Sequence, residues 1–427
     1  MKNYILANCV ILDGTEDMSP ISGKSLVISN GRIQNICDIG QEPGGYKRID
    51  LEGAYVMPGL MNLHVHLAGS GKPKKKASDP VKAVKLVTSN GLMRKVGMAM
   101  VAGFAKDQLL SGVTTIRTVG GIQNFDALTR DKINAGTLAG PRILASNMAV
   151  SVPGGHMAGS LGYEAHDAKE AADYVEKIVA SGADWVKLMI TGGVLDAVKK
   201  GEPGALKMPP AVVKAACDKA HSLGKQVCAH VESTEGVRVA LQNGVDTIEH
   251  GAKPDDEILE LFRQRNASLV TTLSPALPFA LFDRSVSHAT EMQQYNGRIV
   301  FDGIVACAKA CLAAGIPVGL GTDTACPYVT QYDMWRELNL MRRYCGVSNG
   351  FALYTATLGN AKILGIDRET GSVTPGKAAD LLVTRDNPLQ NLAALREPVM
   401  VIAQGKCYSN PKVKKIPEVE QELDNYL

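Results

Sequence analysis

From about residue 55 onward the apolar positions follow two alternating patterns. Short runs rich in branched side chains, each closed by glycine or polar residues, give way to longer stretches in which apolar residues recur at helical spacing. Eight such runs are present: YVMPGLMNLHVH (55–66), VTTIRTVGG (113–121), RILASNMAV (142–150), DWVKLMITGG (184–193), QVCAHVES (226–233), DTIEHG (246–251), SLVTTLSP (268–275) and PVGLGTD (317–323). The stretches between them carry helix punctuation. In DAKEAADYVEKIVASG, Asp167 and Glu170 form a start resembling a capping box, Ala171, Val175 and Ile178 share a face, and Gly182 ends the helix. In PPAVVKAACDKAHSLG the prolines open the helix and Gly224 closes it. Strands alternating with helices eight times predict an α/β fold, a (β/α)8 barrel, with a doubly wound sheet as the alternative.

The two ends break this rhythm. Residues 4–54 contain YILANCVIL and SLVISNGRIQNI, where Asn30-Gly31 between apolar alternations signals a two-residue hairpin. After about residue 370, GSVTPGKAADLLVTRDNPL and VMVIAQGKCYS again read as short strands and turns. The ends therefore pair into one small β-sandwich domain, residues 1–56 with 367–427, and the barrel of residues 57–366 is inserted between them.

Composition adds exclusions. With 46 basic and 43 acidic side chains the formal charge is +3, too balanced for a nucleic-acid or membrane partner. The N-terminal MKNYILANCVILDGTED interrupts its apolar residues with Asn8 and Asp13 and lacks the core of a signal peptide. No stretch approaches the roughly 20 apolar residues of a membrane span. The nine cysteines are scattered and contain no CxxC pair, which points to reduced thiols in a cytoplasmic protein.

Candidate chemistry gathers at the ends of the runs. Alternation puts His64 and His66 on one face of the first run, where both reach a single ion, although HxH alone also fits two structural histidines. His230 closes the fifth run, His250 the sixth and Asp323 the eighth, so four of the eight histidines and one carboxylate fall where a barrel carries its chemistry. Imidazoles with a carboxylate suit a zinc-like ion. Lys187 stands in the middle of an apolar run, where an unpaired ammonium would cost several kcal/mol. Burial favours its neutral amine, which reacts with carbon dioxide to give a carbamate able to bridge two metals.

HxH in the first run, lysine in the fourth, histidines after the fifth and sixth and aspartate after the eighth resemble the amidohydrolase superfamily in its binuclear form, as do VMPGLMNLHVH and GSVTPGKAADLLV. The resemblance implies that His64, His66 and Asp323 hold one divalent ion and His230 and His250 the other, with carboxylated Lys187 between them. Zinc is the first expectation, and manganese, iron and cobalt suit the same ligands. The implied reaction is attack of a metal-bridged hydroxide on an amide carbonyl, with Asp323 as the general base that returns the proton to the leaving amine.

Within that superfamily WVKLMITGGV, TIEHG, GTDTACP and WRELNLMRRYCG resemble the branch of Xaa-Pro dipeptidases (prolidases) and arginine or lysine carboxypeptidases, with imidazolonepropionase as a neighbour. The substrate implied is a small molecule, a dipeptide or N-acyl amino acid. The alternative is a cyclic-amide hydrolase or deaminase like imidazolonepropionase, although Lys187 argues against a mononuclear site. His156, in VPGGHMAGS, falls where such enzymes carry a substrate-contacting histidine. One departure is Val231, because those dipeptidases place a tyrosine directly after the fifth-run histidine and valine cannot donate a hydrogen bond. Lys72, Lys74, Lys75, Lys76 and Arg117 are further candidates for a substrate carboxylate, or else solvated and structural charges. A homo-oligomer is left open.

Overall fold

The structure, a computed structural model, describes residues 3–73 and 79–427. The lysines at 74–76 named above lie outside the described residues.

Both ends of the chain share one eight-stranded sheet. Ile21–Ser29 and Arg32–Asp38 form the predicted hairpin: Ser29 lies opposite Arg32, and Asn30 (φ 50°) and Gly31 (φ 79°) supply the two positive φ angles that its turn requires. Asn3–Ile11 pairs antiparallel with Ile21–Ser29 along one edge and divides its other edge between two partners. Tyr4 to Ala7 run parallel to Lys47–Asp50, whereas Val10 and Ile11 run parallel to Tyr55–Pro58, and Asn8 at the fork has φ 54°. Tyr55–Pro58 hands the sheet to the C-terminal strands Leu381–Thr384, Met400–Ala403 and Lys406–Ser409. Tyr4, Leu6, Ile11, Leu26, Val56, Leu381 and Ile402 bury their side chains together and make this pairing of distant segments favourable.

The first predicted run is two strands in two sheets. Gly59 separates them, and a Cβ there would lie 2.2 Å from Thr114 Oγ1, so only glycine lets the chain cross at that point. Beyond it Leu60–Val65, Val113–Thr118 and Arg142–Leu144 form a parallel three-stranded sheet. Ala149–Ser151, Trp185–Met189, Gln226–Val231, Thr247–His250, Ser268–Thr271 and Val318–Leu320 follow in a parallel seven-stranded sheet with Gly162–Glu164 at its edge, a strand the sequence reading did not include. The third run is also divided. Asn147 (φ 55°) breaks its ladder, and its side chain replaces the lost bonds by pairing with Ala127 N at 3.2 Å and Ser181 Oγ at 2.9 Å.

The helices bury the faces their spacing predicts. Ala168–Ala180 is capped by Asp167, which accepts from Glu170 N at 2.8 Å, and packs inward through Ala171, Val175 and Ile178 before Gly182 turns the chain at φ 94°. Pro210–Ser222 begins after Pro209 and is followed by Gly224 at φ 68°. Among the described residues no helix is long and apolar enough to cross a membrane. The architecture is α/β with parallel sheets, consistent with a TIM-barrel-like fold.

After Val318–Leu320 the chain lies directly against the first parallel strand. Asp323 N donates to His64 O at 2.8 Å, Thr322 N donates to Asn62 Oδ1 at 3.0 Å, and a Cβ on Gly321 would sit 2.4 Å from His64 Cβ. Gly321→Ala should therefore overpack this seam and cost about 1–3 kcal/mol in urea unfolding. A wild-type midpoint would show that the strand carrying His64 yields freely.

Candidate metal centre

The strand ends converge on a cluster of imidazoles. His64 and His66 stand on the same side of the first parallel strand with ring centroids 5.5 Å apart, and both Nε2 atoms face Asp323 Oδ1, at 3.5 Å and 3.2 Å. The His250 ring lies 4.7 Å from His64 and 4.7 Å from His230, joining the two halves of the cluster. Coordinating atoms of His64, His250 and Asp323 lie within 4.8 Å of one another, as do those of His230, Glu232 and His250. The six predicted ligands thus include five from these groups or in contact with them, and Lys187 sits close enough to feel the charges of Glu249, Asp323 and Arg117.

Two backbone conformations aim these side chains. Alternation would turn His250 away from the face used by Glu249, but His250 adopts φ 68° and swings its ring into the cluster. Asp323 has φ 58°, held there by its N–H bond to His64 O. Such left-handed conformations cost of order 1–3 kcal/mol in a non-glycine residue and persist where the surroundings enforce them.

Each imidazole has one nitrogen engaged and the other free. Nδ1 of His66 donates to Gly120 O at 2.7 Å and Nδ1 of His64 donates to Glu249 Oε2 at 2.8 Å, which leaves both Nε2 lone pairs for a cation. Nδ1 of His250 pairs with Thr272 Oγ1 at 2.6 Å. His230 reverses the pattern: Nε2 bonds Gly192 O at 3.2 Å and Nδ1 is free. Burial holds His64, His230 and His250 well below the ordinary imidazole range, so they are neutral and ready to coordinate.

Glu249 is fully buried and does not float as a bare charge. Arg117 donates to its Oε1 at 2.6 Å, and Thr247 Oγ1 donates to the same oxygen at 2.7 Å. The rest of Arg117 is used on Leu63 O at 2.9 Å and on the Trp185 ring, 4.7 Å from its guanidinium carbon. Arg117 is thus a structural charge behind the cluster and not a group for a substrate carboxylate. Lys72, the other described candidate, pairs with Glu418 at 3.2 Å on the surface.

Lys187 and Asp323 show what the cluster lacks. Lys187 is 1% exposed, has no salt bridge among the described residues, and its Nζ finds no hydrogen-bond partner. Burial pushes its amine below the ordinary lysine range. Burial alone would raise Asp323, but the neighbouring His64, His66 and Lys187 outweigh it and hold the carboxyl below the usual range. Its Oδ1 accepts no well-aligned hydrogen bond. Four imidazoles, an ionised carboxylate and an unpaired amine supply the nitrogen and oxygen donors that a divalent cation satisfies, so the residues present fit the metals expected of them.

The rim holds the predicted His156 together with two residues that the sequence reading did not include, Asp196 and Glu232. His156 stacks on His230, with centroids 4.2 Å apart and planes at 10°, and its Nδ1 is paired with Asp196. Glu232, two positions beyond His230, faces the cluster, and burial with help from Asp323 and Asp196 pushes its carboxyl up to about 8. The period of two from His230 was the signal for Glu232; loop residue Asp196 had none. Val231 is buried in the core and would lie 2.8 Å from a Cβ on Gly236, so a hydroxyl is not missing from the cluster on its account.

Arg117→Met should strand Glu249 as an uncompensated buried charge and lower the stability of the metal-free protein by about 3–5 kcal/mol in urea unfolding. The depressed histidines imply a second result. Protons compete with a cation only below the folded pKa, so bound metal should be retained on dialysis at pH 6, below the ordinary imidazole value of 6.5. Loss of metal centred at or above that value would contradict the shift.

Comparison with known proteins extends the likeness over the whole chain. The amidohydrolase family profile matches residues 55–407. The structure of a proposed prolidase from Bifidobacterium longum is 37% identical with a TM-score of 0.88, covering 99% of this chain and 98% of that one. A Xaa-Pro dipeptidase with methionine bound in its active site is 27% identical with a TM-score of 0.83, covering 96% and 100%. Ochratoxinase from Aspergillus niger is 25% identical across 93% of this chain and 85% of its own. Candidate metal groups at the strand ends and a profile that spans most of the sequence agree: the chain belongs to the amidohydrolase family, and it is a hydrolase that acts on C–N bonds.

Proposed function

We propose that the protein hydrolyses the amide bond of a small substrate, a dipeptide or an N-acyl amino acid, at a centre of two divalent ions. His64, His66 and Asp323 would hold one ion and His230 and His250 the other, with zinc the first expectation. The observation that carries this reading is Lys187, an unpartnered amine buried among four imidazoles and an ionised carboxylate. The similarity to a prolidase and to a Xaa-Pro dipeptidase supports the choice of substrate class. The architecture belongs to the same reading: a barrel over residues 57–366 beside a β-sandwich from 1–56 and 367–427, supported at the seam by the bond from Asp323 N to His64 O.

The chain's own residues divide the work. Burial shifts the Lys187 amine toward its neutral form, which would attack carbon dioxide; an N–C bond forms as one C–O π bond of the gas breaks, the nitrogen loses a proton to solvent, and the carbamate carries one negative charge shared by two oxygens. When bound, the two ions polarise the scissile carbonyl and lower the pKa of a water. Asp323, ionised, would accept the water proton and deliver it to the leaving nitrogen. His156, braced by Asp196 and stacked on His230 at the partly exposed rim, would touch the substrate. The nine cysteines carry free thiols, which fits a cytoplasmic location.

Elemental analysis beside release of free amino acids from dipeptides and N-acyl amino acids tests the reading. About two metals per chain with turnover is the expected result. Lys187→Ala should lose bound metal and more than about 100-fold in kcat; unchanged turnover with full metal content would refute the carbamate.

A further inference from the structure

The centre as read above uses four histidines, Lys187 and Asp323 and leaves one buried carboxyl group, Glu232, without a task. Glu232 is anchored by its backbone, whose N–H donates to Thr191 Oγ1 at 3.0 Å. One of its carboxylate oxygens lies within 4.8 Å of the coordinating nitrogens of His230 and His250. Its Oε2 is buried and has no hydrogen-bond partner, and among the described residues no cation forms a salt bridge with it. A Cβ on Gly193 would lie 3.4 Å from that oxygen and 3.6 Å from both Asp196 Oδ2 and His156 Cε1, so these three side chains border one small space at the rim. Asp196 is already satisfied there by His156 and by Gly193 N at 3.0 Å. Glu232 is not.

We propose that Glu232 receives the α-ammonium group of the substrate, so that the enzyme prefers dipeptides with a free N-terminus to N-acyl amino acids. The inference rests on the amide-hydrolase reading above and narrows it. In an aminoacyl amide the ammonium is carried by the carbon next to the scissile carbonyl. A carbonyl positioned at the imidazoles of His230 and His250 therefore brings that ammonium against a carboxylate bordering the same two rings. A cation at the end of a long substrate side chain would lie several bonds farther away, beyond a group so close to the ligands. An acylated nitrogen at the same place offers no charge and leaves the buried oxygen unpaired, and sites of that kind reject substrates lacking the matching group.

The test compares dipeptides with their N-acetylated counterparts on the metal-loaded wild type, Glu232→Gln and Glu232→Asp, with metal content measured for each and binding of free against N-acetylated amino acids followed by calorimetry. Expected is a wild-type preference of at least about tenfold in kcat/KM for the free amine. In Glu232→Gln the ratio should fall toward one, mainly through a higher KM for the free dipeptide, with metal content unchanged. Glu232→Asp should recover part of the preference. Three results would overturn the proposal: equal wild-type rates on both kinds of substrate, a preference that survives in Glu232→Gln, or loss of metal from that variant, which would make Glu232 a ligand. Turnover of N-acyl substrates without any preference keeps the hydrolase reading and removes only this inference, whereas no turnover of either kind removes both.

Discussion

The structure turns on a lysine that has no partner. In an apolar strand buried on all sides, the Lys187 amine could have been neutralised by a carboxylate across the sheet, as buried charges ordinarily are. The carboxylate best placed for that, Glu249, is instead committed to Arg117 and Thr247 on one oxygen and to His64 on the other. Holding Glu249 away from Lys187 does two things together. It leaves the amine unpaired, and it fixes the proton of His64 on Nδ1 so that Nε2 is offered to a cation. A buried ion pair thus orients one imidazole toward a cation and leaves one amine without a partner.

The rest of the frame converts this arrangement into geometry. Each imidazole is pinned from a different segment: His66 by Gly120, His250 by Thr272, His230 by Gly192 and His64 by Glu249. Because the pinning groups sit at the ends of neighbouring parallel strands, ring orientation is inherited from strand register and not from loop conformation. The left-handed residues His250 and Asp323 are where the frame yields to the site. Period-two alternation would have sent one of Glu249 and His250 outward, and the local cost of a positive φ brings both in.

These features explain how far the sequence could be read. Repeating strand and helix patterns are a property of local spacing, so the parallel segments, the Asn30-Gly31 hairpin and the helix buried through Ala171, Val175 and Ile178 were legible. Histidine and aspartate at run ends were legible because those residue types are rare in apolar strands. What escaped depends on contacts between distant segments. The split of the first run at Gly59 follows from the approach of Thr114, and the break at Asn147 follows from side-chain bonds to Ala127 and Ser181. Arg117 reads as a free cation until Glu249 is seen beside it. Val231 reads as a missing donor until its side chain is found in the core, with Glu232 in the facing position.

The same separation bears on how substrate choice arises. Residues that would bind metal lie on the strands or within three residues of their ends, and each is held by a hydrogen bond or a close contact to a neighbouring segment. His156, Gly193, Asp196 and Glu232 occupy segments just past the strand ends, where a side chain can change without moving a ligand. A chain built this way can keep one hydrolytic centre and exchange the groups that meet the substrate. Likeness at similar depth to a Xaa-Pro dipeptidase and to an ochratoxinase, 27% and 25% identical, is what such a division produces. The side chains facing the rim of this chain, the unpaired Glu232 oxygen among them, are therefore where its substrate preference would be written.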